Sequence, residues 1–228
     1  GEYSMQSADQ AGHDAYHMMA FNWANPYVID ENSGDEIEIT INDLHSSGDA
    51  IIISPSWNNF DSPFDEYMLL ELFDTQSVNT YKVSDRFTGV RVYHVDSRMF
   101  DLNTYSLTSD ATTYSVIPFT NTVNNYSGPN SLDSVLYKYQ NFDIVHQIRK
   151  NIVNSKKEPI EYTTTDHAKP DNWFVEGDSF SIEKYAKQFK NEGSFDDEEV
   201  DFNWPFEVKS IKTTETGASA TIKIRNSK

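Results

Sequence analysis

The stretch Glu36-Ile37-Glu38-Ile39-Thr40-Ile41 alternates acidic or polar side chains with isoleucine over six residues. Successive side chains of a β-strand point to opposite faces of a sheet, so the three isoleucines fall on one face. Isoleucine on one face with Glu and Thr on the other is typical of a strand that buries one side and exposes the other. The stretch therefore predicts a half-buried strand.

Similar strand signals recur on both sides of this stretch. Seven further segments carry β-branched and aromatic side chains typical of strands, namely 50–53, 67–73, 90–95, 114–119, 142–148, 206–211 and 218–224. Turn residues separate them, as at Ser47-Gly48-Asp49 and Gly128-Pro129-Asn130. Because strands do not alternate regularly with long helices, the pattern predicts a mainly β protein, an antiparallel β-sandwich or an open barrel.

Helices are predicted at three places. Near the start, Tyr16, Met19, Ala20 and Trp23 recur at helical spacing, behind a capping-box pattern at 7–10 and ahead of Pro26, which ends the helix. Two shorter helices are predicted around 131–139 and 182–189, and Ser181 is a candidate cap for the second of them. The helices are minor additions to a β framework.

Charge and composition restrict the partners. The 228 residues contain 36 Asp and Glu but 18 Lys and Arg, a net charge of −18, and residues 1–81 contain no Lys or Arg. Such a chain repels phosphate backbones and anionic headgroups, so we expect no nucleic-acid partner. No apolar run approaches the roughly 20 residues that cross a bilayer, so no membrane insertion is expected. Without cysteine, disulfides and thiolate metal sites are excluded.

The sharpest local pattern is His13-Asp14-Ala15-Tyr16-His17. Two imidazoles four residues apart on a helix face the same way, which suits zinc, so His13 and His17 are candidate metal ligands. Asp14 occupies the place of the general-base Glu in the zinc-peptidase pattern H-E-x-x-H, but its shorter side chain favours metal binding over hydrolysis. The alternative is a surface helix with two solvated or core-edge histidines.

Two other groups of polar residues have candidate roles. His94 and Asp96 fall on one face of a predicted strand end, where an imidazole beside a carboxylate is half of a nucleophilic triad; a structural hydrogen bond is the favoured interpretation. Acidic clusters at 30–31, 35–36 and 196–199 have the oxygen ligands that calcium prefers, although none matches an EF-hand loop. The alternative is a solvated acidic surface.

Several segments, read in order, resemble the secreted zinc metalloproteases of the immune inhibitor A family. The segments are Tyr3-Ser4-Met5, Gly12-His13-Asp14-Ala15-Tyr16, Ala20-Phe21-Asn22-Trp23, Asn25-Pro26, Ser47-Gly48-Asp49-Ala50-Ile51-Ile52, Phe64-Asp65-Glu66-Tyr67-Met68-Leu69-Leu70-Glu71, Gly89-Val90-Arg91-Val92-Tyr93-His94-Val95-Asp96, Phe174-Val175-Glu176-Gly177-Asp178-Ser179-Phe180 and Trp204-Pro205-Phe206. Their order and spacing also fit that family. Family members carry an H-E-x-x-H helix ahead of the segment that resembles Tyr3-Ser4-Met5, and this sequence does not contain that helix.

The resemblance implies that the chain is the downstream, non-catalytic part of such a protease, inactive alone. Residues 1–27 would then be a helical remnant of the upstream protease domain, and 28–228 a β-sandwich region with a sub-boundary near 156–172. The implied partners are that protease domain, which would hold the zinc, and protein or peptide substrates that this region helps present. Exposed aromatic residues such as Phe21, Trp23 and Tyr27 would be an interface. The family's export habit implies an extracellular or cell-envelope location.

Two other functions compete with this one. His13 and His17, with Asp14, would form a zinc hydrolase site complete within the chain. Alternatively, the abundant Tyr, Trp and Asn side chains would serve an adhesive or carbohydrate-binding β-sandwich. Bound calcium is compatible with the accessory and the adhesive functions.

Overall fold

The computed structural model describes residues 13–54, 66–78, 86–96, 99–101, 106–108, 116–118, 145–150, 170–185, 188 and 204–226. The predicted capping box at 7–10, the turn at 128–130, the helix around 131–139 and the acidic cluster at 196–199 lie outside these residues. Of the sub-boundary predicted near 156–172, residues 156–169 also lie outside the described residues.

One sheet has five strands. They lie in the order β1 (Tyr27–Ile29), β3 (Ile51–Ile53), β4 (Glu66–Asp74), β5 (Thr88–Asp96) and β9 (Val145–Ile148). The pairs are antiparallel except β1 with β3, which runs parallel. The prediction of antiparallel pairing is therefore wrong at this one edge.

A second sheet has four antiparallel strands. Their order is β10 (Ser179–Phe180), β11 (Phe206–Thr214), β12 (Gly217–Arg225) and β2 (Glu36–Asn42). A smaller sheet joins β7 (Ser106–Thr108), β6 (Met99–Asp101) and β8 (Val116–Pro118). All eight strand segments predicted from the sequence thus contain a strand, and the mainly β class is confirmed.

The two larger sheets share one apolar core, which is the arrangement of a sandwich. Ile41 of β2 and Ile222 of β12 are buried in the same cluster as Leu70 of β4 and Val92 of β5. Ile37 and Ile39 pack against that cluster, while Glu36, Glu38 and Thr40 are exposed. The half-buried strand predicted from the alternating stretch is confirmed, and the described strands do not close into a barrel.

The helices are shorter than the sequence pattern suggests. The first, α1, spans Ala15–Ala20 and is capped by Asp14 instead of residues further upstream. It ends before Trp23, because Asn22 adopts a φ of 58° and the Trp23 N–H bonds back to the Met18 carbonyl. The prediction that the helix continues through Trp23 to Pro26 is therefore wrong.

The remaining described helices are single turns. They are α2 (Leu44–Ser47), α3 (Thr75–Val78) and α4 (Ile182–Tyr185), with a 3-10 turn at Pro170–Asn172. The helix predicted around 182–189 is confirmed over its first turn. No helix among the described residues has the length and apolar character that crossing a bilayer requires.

Gly48 holds the turn that joins α2 to β3 against the segment after α1. Its φ is 76°, and a Cβ there would lie 2.8 Å from the Trp23 carbonyl oxygen. We expect Gly48→Ala to lower the free energy of unfolding by about 1–3 kcal/mol, because a left-handed conformation and a backbone contact are both penalised. Denaturant unfolding measures this. Gly34→Ala is the matched control, since its Cβ would meet only the Glu36 carbonyl oxygen at 4.0 Å; equal losses at both positions would contradict the explanation.

Candidate functional site

Helix α1 covers the outer face of the five-stranded sheet, opposite the shared core. Ala15 is buried there in a second apolar cluster with Tyr67 and Leu69 of β4 and Tyr93 of β5. Because β4 is covered on both sides, its apolar residues do not alternate with exposed polar ones. The candidate site lies where α1 meets this sheet.

A buried carboxylate anchors α1 to the sheet. Glu71 of β4 accepts hydrogen bonds from the Ala15 backbone N–H at 2.6 Å and from the Tyr93 hydroxyl at 3.0 Å. It also forms an ion pair with Arg91, its register partner on β5. Burial raises the pKa of Glu71, although the Arg91 charge opposes that rise. All three contacts hold the carboxylate in a structural role.

The Arg91 guanidinium lies between the ion pair and two aromatic rings. Its central carbon is 3.9 Å from the centroid of the Phe73 ring and 5.8 Å from that of Tyr93. Burial opposes its charged form, but Glu71 and the Tyr93 and Asp14 side chains outweigh that effect and raise the pKa of Arg91. For the Tyr93 hydroxyl, burial disfavours the ionised form and raises the pKa. The cation is therefore held by a carboxylate and by ring faces together.

Asp14 and His17 form a second polar pair at the start of α1. The Asp14 Oδ1 accepts from the His17 backbone N–H at 3.0 Å and lies 2.7 Å from its ring Nδ1. The hydrogen bond to Asp14 raises the pKa of His17, against the effect of burial. Burial by itself would raise the pKa of Asp14, but the contacts with His17 outweigh it and the net shift is downward. Asp14 thus caps the helix and orients the imidazole.

His45, which sequence reasoning missed, lies beneath the same segment. Its Nε2 donates to the His13 carbonyl oxygen at 2.9 Å, and its ring packs edge-on against Phe73. Burial, aided by the Arg91 charge, lowers the pKa of His45 to about 4, so the ring is neutral near pH 7. Among the described residues, the Nδ1 atoms of His13 and His45 are buried without a hydrogen-bond partner.

His13 and His17, the predicted metal pair, are neighbours in space, but they do not lie on one helix as predicted. His13 precedes α1 instead of lying on it, and its ring centroid is 6.1 Å from that of His17. In the described part of the chain, no group of three or more His, Asp or Glu side chains is placed to hold a metal ion. The assignment of His13 and His17 as ligands remains a prediction.

The carboxylate beside His94 is Glu66. The His94 Nε2 and the Glu66 Oε1 are 3.0 Å apart, across the β4–β5 pair. The Asp96 side chain lies outside the described residues. Glu66 was missed because the register of β4 against β5, which brings it diagonally beside His94, is not readable from either strand alone.

The described acidic clusters have structural partners. The Asp30 Oδ1 accepts from the Asn32 backbone N–H at 2.9 Å, which closes a local turn. Glu36 pairs across the sheet with Lys223 at 2.7 Å and with Arg225 at 3.4 Å. These contacts support the solvated-surface interpretation for 30–31 and 35–36.

An exposed apolar surface adjoins the histidines. Phe21 is 50% exposed and Trp23 60%, and these two residues are called the N-terminal patch below. Tyr27 and Val28 of β1 are also exposed, at 47% and 40%, but as successive strand residues they point to opposite faces of the sheet. The Phe21 and Trp23 ring centroids are 5.0 Å apart, and the His13 ring lies within 5.8 Å of both. Clustered apolar exposure of this kind marks interaction sites.

Comparison with protein-family models, with curated proteins and with solved structures gives no match.

Breaking the buried Glu71–Arg91 ion pair should lower the free energy of unfolding strongly. We expect Glu71→Gln to lower the free energy of unfolding by about 3–5 kcal/mol, because it leaves the Arg91 charge buried without its counter-ion. Denaturant unfolding measures the loss, and Glu38→Gln, at an exposed acid on β2, should change it by less than about 0.5 kcal/mol.

The same change in an Arg91→Leu background tests the cause. There Glu71→Gln should cost much less, since no buried cation remains to be left alone. An equal loss in both backgrounds would contradict the assigned interaction.

The Asp14–His17 pair should stabilise the fold most at mildly acidic pH. The pKa of His17 is raised above its ordinary 6.5, so its stabilisation is full below 6.5 and is lost as the pH rises through the folded-state pKa. The difference in free energy of unfolding between the native chain and His17→Gln should therefore shrink as the pH rises from about 5 to about 9.

Asp14→Asn is the background for the control, because Asn still caps a helix but carries no charge. In that background the His17→Gln difference should lose most of its dependence on pH. A difference that grows with pH would contradict the assignment.

Proposed function

We propose that this chain is a non-catalytic accessory β-sandwich of an exported immune inhibitor A-like zinc metalloprotease. It docks on the protease domain through the N-terminal patch and helps present protein or peptide substrates to it. The carrying observation is the patch itself, two large aromatic side chains that are 50% and 60% exposed and whose ring centroids lie 5.0 Å apart. The segment resemblance described above supplies the family.

The backbone that carries the patch is held in place by contacts with the sheet, which suits a docking role. Phe21 and Trp23 follow α1, which is fixed by Glu71 at its first turn and by Asp14 at its cap. After Trp23, the Asn25 N–H donates to the Gly48 carbonyl and the chain enters β1, which is paired with β3. Apolar anchors held on ordered backbone lose less conformational freedom on binding, which favours affinity.

On this proposal the catalytic zinc belongs to the partner protease domain, whose H-E-x-x-H helix supplies ligands and a general base. This chain would contribute surface and not reacting groups. The net charge of −18 keeps an exported protein soluble, in line with the proposed extracellular or cell-envelope location.

The direct test measures binding to a zinc-protease domain of that family from the same genome. We expect complex formation and a higher melting temperature for this chain in the complex. Trp23→Ala should weaken binding about tenfold or more, since buried Trp anchors carry roughly 2 kcal/mol or more of interface energy. The matched control is Val175→Ala, at a residue that is 40% exposed outside the patch. Absence of binding, or equal effects of the two substitutions, would contradict the proposal.

The zinc hydrolase alternative has one observation in its favour. Asp14 holds the Nδ1 of His17, as carboxylates do for zinc-bound imidazoles, so Nε2 is the ring nitrogen that would meet a metal. Stoichiometric zinc in this chain, lost on His17→Ala, together with peptidase activity, would favour that alternative. The carbohydrate-binding alternative rests on the exposed ring of Trp23, and a glycan array with hits sensitive to Trp23→Ala would support it.

A further inference from the structure

A half-open pocket lies on the four-stranded sheet, where β10, β11 and β12 meet. It encloses about 250 Å³ and is lined by Ser179, Phe180, Ser181, Pro205, Phe206, Glu207, Lys223 and Arg225. Pockets for drug-sized ligands begin at roughly 300 Å³, so this one suits a smaller molecule. The pocket shares no residue with the N-terminal patch.

The polar lining comes from the outer side of this sheet. Ser179, Glu207 and Lys223 lie opposite one another in the registers of β10, β11 and β12. Phe180 and Phe206, the neighbours of Ser179 and Glu207 along their strands, are buried in the shared core. Because side chains alternate along a strand, the row points away from the core. One short row therefore brings a hydroxyl, a carboxylate and an ammonium group to the pocket.

Two charged groups of the lining keep hydrogen-bonding capacity. Lys223 lies opposite Glu207, but its Nζ is 2.7 Å from Glu36. Within the described residues Glu207 is paired only with Lys209, whose Nζ is 3.6 Å away and beyond hydrogen-bonding distance. The Arg225 side chain is 60% exposed and reaches Glu36 through Nε at 3.4 Å, longer than the roughly 2.7–2.9 Å of a strong charged pair. A carboxylate and a guanidinium can thus both bind a ligand.

The charges at the pocket are balanced. Lys223 and Arg225 both contact Glu36, and Glu207 adds a second carboxylate. An anionic ligand would compete with Glu36 for the two cations, and a cationic ligand would lie beside them. A neutral molecule with neighbouring hydroxyl groups avoids both costs, because one hydroxyl accepts from the guanidinium while the next donates to the carboxylate.

We propose that this pocket binds a single neutral sugar unit, with neighbouring ring hydroxyls held between the Arg225 guanidinium and the Glu207 carboxylate. The Ser179 hydroxyl, which both donates and accepts, serves a further hydroxyl of the ligand. The Pro205 ring adds apolar surface for the C–H groups of the sugar. The site is independent of the proposed docking function.

The test titrates the full chain with the methyl pyranosides of glucose, galactose and mannose, and with tetrahydropyran-2-methanol, which keeps the ring but has one hydroxyl. NMR shifts of the Ser179, Glu207 and Arg225 backbone amides report on the pocket, and the Trp23 indole N–H reports on the N-terminal patch. We expect at least one pyranoside to shift the pocket signals with a dissociation constant on the order of 1–10 mM. Tetrahydropyran-2-methanol should leave them unchanged.

Variants locate the site. Arg225→Ala should weaken binding of that pyranoside about tenfold, since hydrogen bonds from a charged donor are lost. Glu207→Gln should weaken it about threefold, since a neutral acceptor replaces a charged one. Both side chains are exposed, so the fold should tolerate these changes. The matched controls, Lys212→Ala and Glu215→Gln at exposed charged residues outside the lining, should leave binding unchanged.

A charged analogue tests the preference for a neutral ligand. Methyl glucuronide carries a carboxylate and should bind the native chain more weakly than the pyranoside, because Glu36 already occupies the cations. Glu36→Gln removes that competitor, so the glucuronide should bind this variant about threefold or more tightly than the native chain.

Four results would overturn the inference. They are the absence of any pocket shift with all three pyranosides, sugar-induced shifts confined to Trp23, stronger binding of the glucuronide than of the pyranosides to the native chain, and equal losses in the variants and their controls.

Discussion

The ion pair between Glu71 and Arg91 organises the outer face of the five-stranded sheet. The two residues are opposite each other in the β4–β5 register, and both are almost fully removed from water. Such a pair stabilises a fold only when its remaining hydrogen-bonding capacity is used, because removing both charges from water is expensive. The carboxylate meets this condition, because it also accepts from Tyr93 and from the first N–H of α1, whereas the guanidinium packs on the Phe73 ring. The position of the helix is thereby coupled to the charge pair.

The position of the exposed Phe21 and Trp23 side chains depends on the buried contact between Glu71 and α1. A six-residue helix is too short to be stable in isolation, so α1 depends on tertiary anchors. Its cap, its first N–H and Ala15 supply those anchors, and Phe21 and Trp23 follow within one turn of its end. The buried polar contacts that hold α1 therefore also fix the backbone that carries the exposed Phe21 and Trp23 side chains.

Much of the sandwich was readable from local pattern, and the site was not. Glu36 to Ile41 alternates cleanly, so its strand and its buried face follow from period two alone. Strands of three residues, such as β1, are too short to show a period, and their parallel or antiparallel pairing depends on partners distant in sequence. Glu71 and Arg91 each interrupt an apolar run with a charge of opposite sign, which was a usable signal for a buried pair. His45 and Glu66 carried no comparable signal, because their neighbours are set by the register and by the path of α1.

The pairing of β2 with β12 has a consequence for biosynthesis. Thr40 and Thr221 face each other across this pair although 181 residues separate them. At the usual rate of about 5–20 residues per second, a ribosome needs roughly ten to forty seconds to deliver the second strand after the first. Throughout that interval β2 lacks β12, its pairing strand in the described sheet, and Glu36 and Glu38, which alternate with its isoleucines, act as gatekeepers against aggregation of the nascent chain.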